Sequence, residues 1–382
     1  MGIWHIRYQI FGDLDHETLE TCRQVSDLWD ESLEKLSLVK FIFEFGNRNV
    51  KISTYLRGGT STRIQKVGTL FPAWAEASKK YEATASIEDL REIKVSLQEL
   101  LTEDGFCCED PVHETAWNGH LELMKFFLCT SYDMNSGAST ECNETAFHTA
   151  CQSGKTEMAR LMIESSKEFD IDLNARDSYG KTPFHLACEN GQTEVARLMI
   201  KSSVDFKIEL NARDNKRGTA FHRACEYGEA ELVRFMIETS KEFDLDLNAR
   251  NESGKTAFHF ACVRDDGPDV ARLMIELSKE FKIDLNARDE SGRTVLHSAC
   301  GDGRPETVKL LLANLAQIGI DRNDQNNQGE TALELINGKV EEYVDWQEQD
   351  DLDDWDLEIM KTFQAIQAIL EAEHEYDASE SV

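Results

Sequence analysis

The sequence has little proline, no long apolar run and no excess of positive charge. Only 5 prolines and 22 glycines occur in 382 residues. No stretch approaches the ~18–20 consecutive apolar residues of a membrane-crossing helix. Met1 to Ile10 lack the charged start, apolar run and small-residue cleavage site of a secretory leader. Gly2 is only a weak myristoylation signal, because Ile6 stands where that motif needs Ser or Thr. The expected location is therefore cytoplasmic or nuclear. Lys and Arg number 41 against 72 Asp and Glu, a net charge of −31. Nucleic-acid binding needs a basic footprint that displaces counterions, so neither nucleic acid nor a membrane is expected as partner.

Recognisable chemistry is just as scarce. Gly58-Gly59 is not followed by a phosphate-cradling motif, and kinase, protease and hydrolase signatures are absent. The carboxylates are many, but none reads as a pair set in an apolar pocket for acid–base work. Cys107-Cys108 lacks the second pair that a zinc site would need. No enzyme activity, metal or cofactor is expected.

What the sequence does have is one phrase said several times. Its clearest copy runs Gly180-Lys181-Thr182-Pro183-Phe184-His185-Leu186-Ala187-Cys188, then Gly191, then Val195-Ala196-Arg197-Leu198-Met199-Ile200. Copies start at Thr145, Thr182, Thr219, Thr256, Thr294 and Thr331, so the steps are 37, 37, 37, 38 and 37. A weaker copy, Asp110-Pro111-Val112-His113, precedes them. A fixed period of this size signals a stacked solenoid. Thr182 suits an N-cap, Pro183 suits the first turn, and Gly191 ends the helix. A second helix then carries Val195, Leu198 and Met199 on one face. Neither helix can bury its apolar face alone; stacked neighbours do so for each other.

These residues resemble the ankyrin repeat, whose signature is Thr-Pro-Leu-His-x-Ala. Thr-Pro-Phe-His occurs once, Thr-Ala-Phe-His three times and Thr-Val-Leu-His once. The resemblance, over roughly 104–375, implies an all-α solenoid of two-helix units with projecting hairpins and a protein-binding concave face. The period exceeds the usual 33 by four residues, placed after the second helix near Lys167-Glu168-Phe169-Asp170. They should lengthen that helix by one turn, about 6 Å. The 38-residue step assigns a bulged inter-helix turn between Cys262 and Val270.

Cys151, Cys188, Cys225, Cys262 and Cys300 follow the Ala of each copy and should be buried, reduced and unreactive. One per repeat, roughly 10 Å apart, they are too distant to pair. His148, His185, His222, His259 and His297 recur likewise; spread along a stack they suit hydrogen bonds between neighbouring loops better than a metal. Asn174, Asn211, Asn248 and Asn286 end an acidic–Leu–Asn step that resembles the asparagine hydroxylation site of ankyrin repeats. A hairpin hydrogen bond from the amide is the simpler role. Gly180, Gly254, Gly292 and Gly329 mark hairpin turns needing positive φ. Arg217 replaces that glycine in one finger, which should adopt a different turn and project Lys216 and Arg217.

Residues 1–45 are a second feature. Ile10, Phe11 and Leu14, then Leu19, then Cys22-Arg23-Gln24-Val25-Ser26 and Trp29 resemble an F-box, a helical motif that docks the linker subunit of a cullin–RING ubiquitin ligase. The resemblance assigns Ile10, Phe11, Leu14, Leu19, Val25 and Trp29 to that contact. The family's opening Leu-Pro is missing, since Gly2-Ile3 stand there. Residues 46–103 read as linker and capping helices, including a locally basic loop at Arg48, Lys51, Arg57, Arg63 and Lys66. A stripe of Ile87, Leu90, Ile93, Leu97 and Leu101 should cap the first repeat. Repeats then fill 104–327.

Residues 328–375 read as a closing repeat whose helices are split by an acidic insertion, 341–358, holding Tyr343, Trp346 and Trp355. Residues 340–382 carry 15 Asp or Glu and one Lys, so the insertion should be a disordered loop. Residues 376–382 read as a disordered tail. Ile359, Phe363, Ile366 and Leu370 make the final helix amphipathic.

The residue after each His should face the groove: Thr149, Leu186, Arg223, Phe260 and Ser298. With Tyr179, Tyr227 and Arg264, the set Tyr179, Leu186, Arg223, Tyr227, Phe260 and Arg264 is the expected partner strip, since Tyr and Arg often anchor interfaces. The reading is an adaptor that holds a protein target on the ankyrin groove and brings it to a ubiquitin ligase. The alternative is an ankyrin scaffold or inhibitor without that link.

Overall fold

The computed structural model describes residues 111–128, 133–137, 142–227, 229–264, 268–348 and 354–380. The F-box-like residues, the basic loop, the capping stripe and Cys107-Cys108 lie outside these residues. So does part of the turn between Cys262 and Val270. The chain divides into two compact units, Met1–Ser178 and Tyr179–Val382. All regular structure among the described residues is helical.

In the first unit, α1 (Pro111–Asn118) and α2 (Leu121–Leu128) precede α3 (Ala146–Gln152) and α4 (Thr156–Phe169). α1 packs on α3 and α2 on α4. Phe127, Phe147, Leu123 and Met124 are fully enclosed in the core they share. His113 Nε2 meets the Glu144 carbonyl at 2.9 Å. Asn135 donates to the Asp170 carbonyl at 2.7 Å and accepts from the Asp172 N–H at 2.7 Å.

The second unit repeats this plan. First helices are α5 (Pro183–Glu189), α7 (Ala220–Tyr227), α9 (Ala257–Ala261) and α11 (Val295–Gly301). Second helices are α6 (Thr193–Phe206), α8 (Ala230–Phe243), α10 (Asp269–Phe281) and α12 (Pro305–Leu312), the last followed by the short α13 (Leu315–Ile318). α14 (Ala332–Glu348) and α15 (Asp354–Glu380) close it. First helices pack in sequence, α5 on α7 on α9 on α11 on α14, and α6, α8 and α10 form a parallel row.

The sequence dictates these elements locally. The Thr182 N–H donates to His185 Nδ1 at 3.1 Å, and the Thr hydroxyl lies 2.9 Å from the same nitrogen. Thr145, Thr219, Thr256 and Thr294 repeat this arrangement. The four extra residues do extend the second helix: α4, α6 and α8 each hold 14 residues. They end on Asp170, Lys207 and Asp244, and α10 on Lys282, all left-handed at φ 52–56°. Ser203 and its equivalents bond back to the carbonyl three residues earlier at 2.7 Å.

Asn211 and Asn248 do make amide bonds, across repeats rather than within a hairpin. Asn211 donates to the Asp244 carbonyl at 2.7 Å and accepts the Asp246 N–H at 2.9 Å. Asn248 does the same with Lys282 and Asp284 at 2.9 and 2.8 Å. Arg213, Arg250 and Arg288 add a parallel series, each donating to a backbone carbonyl of the next finger at 2.7–2.8 Å. The five repeat cysteines are buried. Burial pushes four of the thiols up, to about 12 for Cys300 and further for Cys188, Cys225 and Cys262, so these four are neutral and poorly nucleophilic.

Three expectations need correction. The finger of Arg217 does not adopt a different turn. Arg217 takes φ 60° where the other fingers have glycine, and its N–H bonds the Asp214 carbonyl at 2.8 Å, as Gly254 bonds Asn251 at 3.1 Å. Asp214 Oδ1 accepts from the Lys216 and Gly218 N–H groups, which holds the arginine there.

The acidic insertion is largely helical, since α14 runs through Tyr343 to Glu348. Tyr343 lies against Phe363 at 5.8 Å and Lys339 sits over the same ring at 4.7 Å. Packing on α15 thus offsets the charge repulsion expected of this stretch. α15 itself continues to Glu380, so most of the expected tail is helix. Phe363, Ile366 and Leu370 are buried, joined by Met360.

Candidate functional site

The first-helix side of the second unit gathers most of the expected strip. Arg223 on α7 lies at its centre. One guanidinium nitrogen donates to Asp214 Oδ2 at 2.5 Å and another to Glu226 at 2.8 Å. The Asp214 carboxylate is only 2 % exposed and Arg223 15 %. Burial alone would raise the Asp214 carboxyl, yet its bond to Arg223, that cation's charge and the Gly218 N–H hold it below its ordinary value. Burial would lower Arg223, and Asp214 raises it instead. Each charge is thus stabilised by the other, the condition under which a buried pair persists.

Around this pair the surface opens. Tyr179, in the finger before α5, is 58 % exposed, and Tyr227, at the end of α7, is 55 % exposed. The Tyr227 hydroxyl is raised by partial burial and by its hydrogen bond to Glu226. Lys181 lies 5.8 Å from the Tyr179 ring centre and pairs with Glu189 at 2.6 Å. Glu189 in turn acts electrostatically on Arg223 and Tyr227. Tyr179, Lys181, Glu189, Arg223, Glu226 and Tyr227 therefore form one linked surface across two repeats.

The rest of the strip joins unevenly. Phe260 on α9 is half-buried and meets His222 edge-on, with ring centres 5.6 Å apart. Arg264 Nη1 reaches the Cys225 carbonyl at 3.5 Å, so it touches the end of α7. Leu186 does not belong to an open surface. It is 4 % exposed, and Thr149 and Ser298 at the equivalent position are buried too. The position after the histidine lies at the margin of the core. Short side chains there are covered, and only long ones such as Arg223 and Phe260 reach outward.

Glu189 and Glu226 were not anticipated. They stand 37 residues apart in equivalent positions, so the repeat register pointed to them. Lys181 and Asp214 were hidden because their roles depend on contacts between a finger and a helix. Ile10, Phe11, Leu14, Leu19, Val25 and Trp29 lie outside the described residues.

Three of the histidines link repeats within the second unit. His185 Nε2 meets the Gly218 carbonyl at 3.3 Å, His222 that of Lys255 at 3.2 Å and His297 that of Glu330 at 3.1 Å. Among the described residues, no three His, Cys, Asp or Glu side chains are placed to hold a metal ion.

A family model of three ankyrin repeats matches residues 112–214 and 204–289, and a model of many ankyrin repeats matches 277–336. Together they span more than half of the chain. The chain belongs to the ankyrin-repeat family. The ankyrin stack is a protein-interaction scaffold, so the linked surface lies on a fold made for binding other polypeptides.

Two solved ankyrin structures are among those similar to this chain. The ankyrin repeat domain of Bcl-3, a unique member of the IkappaB protein family, is 24 % identical with a TM-score of 0.48; the match covers 61 % of this chain and 95 % of that one. The human ASB11 ankyrin repeat domain is 20 % identical with a TM-score of 0.47, covering 59 % and 91 %. No curated protein matches the chain in sequence. No helix among the described residues is long and apolar enough to cross a membrane.

Proposed function

We propose that the ankyrin stack captures a protein through the surface built on α5, α7 and α9. The observation that carries this reading is the pair of tyrosines, Tyr179 and Tyr227. Both are more than half exposed on successive repeats and both adjoin one polar network. A tyrosine so placed contributes little to the fold, yet offers a rigid ring and a hydroxyl to a partner. Phe260 extends the apolar part of the surface, and Arg264 its polar edge. Arg223 acts as the preorganised centre, since Asp214 and Glu226 fix its guanidinium before any partner arrives.

The chain then serves as an adaptor. Residues 1–45, with the F-box-like Ile10, Phe11, Leu14, Leu19, Val25 and Trp29, engage the linker subunit of a cullin–RING ligase and hold the captured protein near it. Bringing two proteins onto one chain raises their effective concentration without bond chemistry in the adaptor. The support for this half is the sequence motif alone. The simpler reading keeps the ankyrin surface and drops the ligase.

The two halves are tested separately. The purified full-length chain should bind the purified linker subunit, and Leu14→Ala and Trp29→Ala should abolish that binding. An intact chain that fails to bind the linker removes the ligase role and leaves the scaffold. A chain whose captured proteins are unchanged by Tyr179→Ala with Tyr227→Ala removes the surface.

A further inference from the structure

The stack is not uniform along the second unit. Four first helices and four second helices follow one plan, but one junction departs from it in several independent ways. It lies between the repeat of α9 and α10 and the repeat of α11 and α12.

First, α9 is the shortest first helix, Ala257–Ala261, five residues against seven in α5 and α11 and eight in α7. Its packing on α11 is sparse beside that of α5 on α7 or α7 on α9. Second, His259 lacks the inter-repeat bond. Its Nε2 is buried without a hydrogen-bond partner. The ring faces the Arg293 carbonyl, the equivalent of the acceptors its counterparts use, in a contact weaker than theirs. Third, the next second helix is broken. In place of 14 continuous residues there are α12, eight residues, and α13, four. The Gln317 side chain on α13 reaches across to the Ile275 carbonyl at 2.6 Å.

The fingers at the same junction keep every usual tie. Glu290 N–H bonds the Ser253 carbonyl at 2.9 Å, as Asn215 bonds Tyr179. Arg250 holds the Arg288 carbonyl at 2.7 Å. Arg304 Nε holds the Val263 carbonyl at 2.9 Å from the helical side. One edge is closed and the other is thinly joined.

We infer that this junction is a built-in hinge of the stack, with the finger edge between Ser253 and Arg288 as its axis. Opening separates α9 and α10 from α11, α12 and α13 while the finger bonds persist. The first-helix packing there is thinner than at the neighbouring junctions, the His259 contact with its carbonyl is weaker than those of His222 and His297, and the Gln317 and Arg304 bonds pass to water. Each of these lowers the free energy of opening relative to the neighbouring junctions, where a fully formed helix and a bonded histidine resist it. The motion carries Phe260 and Arg264 with α9, so the outline of the linked surface against the later repeats can adjust to a partner.

Hydrogen–deuterium exchange on the full chain tests this. Amides of α9 and α11 should exchange faster than those of α5 and α7, on the order of tenfold. Amides in the middle of α14 and in 360–370 should be better protected than those of α9 and α11. That rise beyond the junction separates a hinge from simple fraying at the end of the array. Uniform protection from α5 to α11 would overturn the inference, and so would protection that falls steadily toward the C-terminus.

Discussion

His222 joins two repeats with opposite sides of one ring. Nδ1 accepts the Thr219 N–H at 3.1 Å, and Nε2 meets the Lys255 carbonyl at 3.2 Å. A backbone N–H can only donate, so Nδ1 carries no proton and Nε2–H must be the donor. The ring is held neutral, and a second proton would face the Thr219 N–H.

This geometry gives the fold a pH dependence. Burial lowers the pKa of His222 and His297, and pushes His259 down to about 4. Each ring binds a proton more weakly folded than unfolded. Stability is therefore complete above the ordinary imidazole value near 6.5. It declines as the pH falls through that value and levels off once the folded rings titrate. For His259 the loss approaches 3 kcal/mol, on the order of 1.4 kcal/mol per pH unit. Urea unfolding at steps from pH 7.5 to 4.5 measures it. His259→Gln should flatten the curve, and a midpoint independent of pH would contradict the neutral-ring assignment.

Arg217 occupies a backbone conformation that disfavours side chains. Arg217→Gly should raise stability by up to about 1 kcal/mol, less what glycine gains in unfolded-state freedom. Gly254→Ala, at the equivalent turn, should do the reverse. A methyl there would sit 2.8 Å from the Glu290 nitrogen, and the cost should be about 2 kcal/mol or more. Thermal unfolding of the two variants checks both signs.

Arg223→Ala leaves the Asp214 carboxylate buried without its partner. The expected loss is about 3 kcal/mol. Replacing both, Arg223→Leu with Asp214→Asn, should cost less than Arg223→Ala alone, because no buried charge is then uncompensated. Asp214 also adds an acid-sensitive term distinct from the histidines. Its folded pKa lies below 3.8, so its contribution is present above that value and is lost as the pH falls further. Denaturant titrations of the three proteins decide whether the pair is coupled.

The features legible in the sequence are those set within one repeat or by strict repetition. Thr182 and His185 close their bond over three residues, and the cysteines recur at a small buried position. The asparagine bonds could be anticipated as bonds, but not their targets, because Asp244 and Lys282 lie a repeat away. Leu186 departs from the expected open strip for a related reason. Its burial depends on what the neighbouring repeat lays over it, which a single-repeat pattern does not contain. At Arg217 a local preference for glycine yielded to the stacked fingers and the Asp214 side chain. At Tyr343 the count of acidic charges concealed an aromatic and a lysine that both meet Phe363.

The most direct measurement concerns the two exposed tyrosines. Full-length protein and its Tyr179→Ala/Tyr227→Ala variant would be used to capture proteins from the same extract, with quantification by mass spectrometry and the fold of each checked by circular dichroism. Both positions are solvent-facing, so stability should change by no more than about 0.5 kcal/mol. The expected result is a defined set of proteins lost, at least tenfold, from a variant that is still folded. An unchanged set on a folded variant would contradict the assignment of the binding surface to α5, α7 and α9.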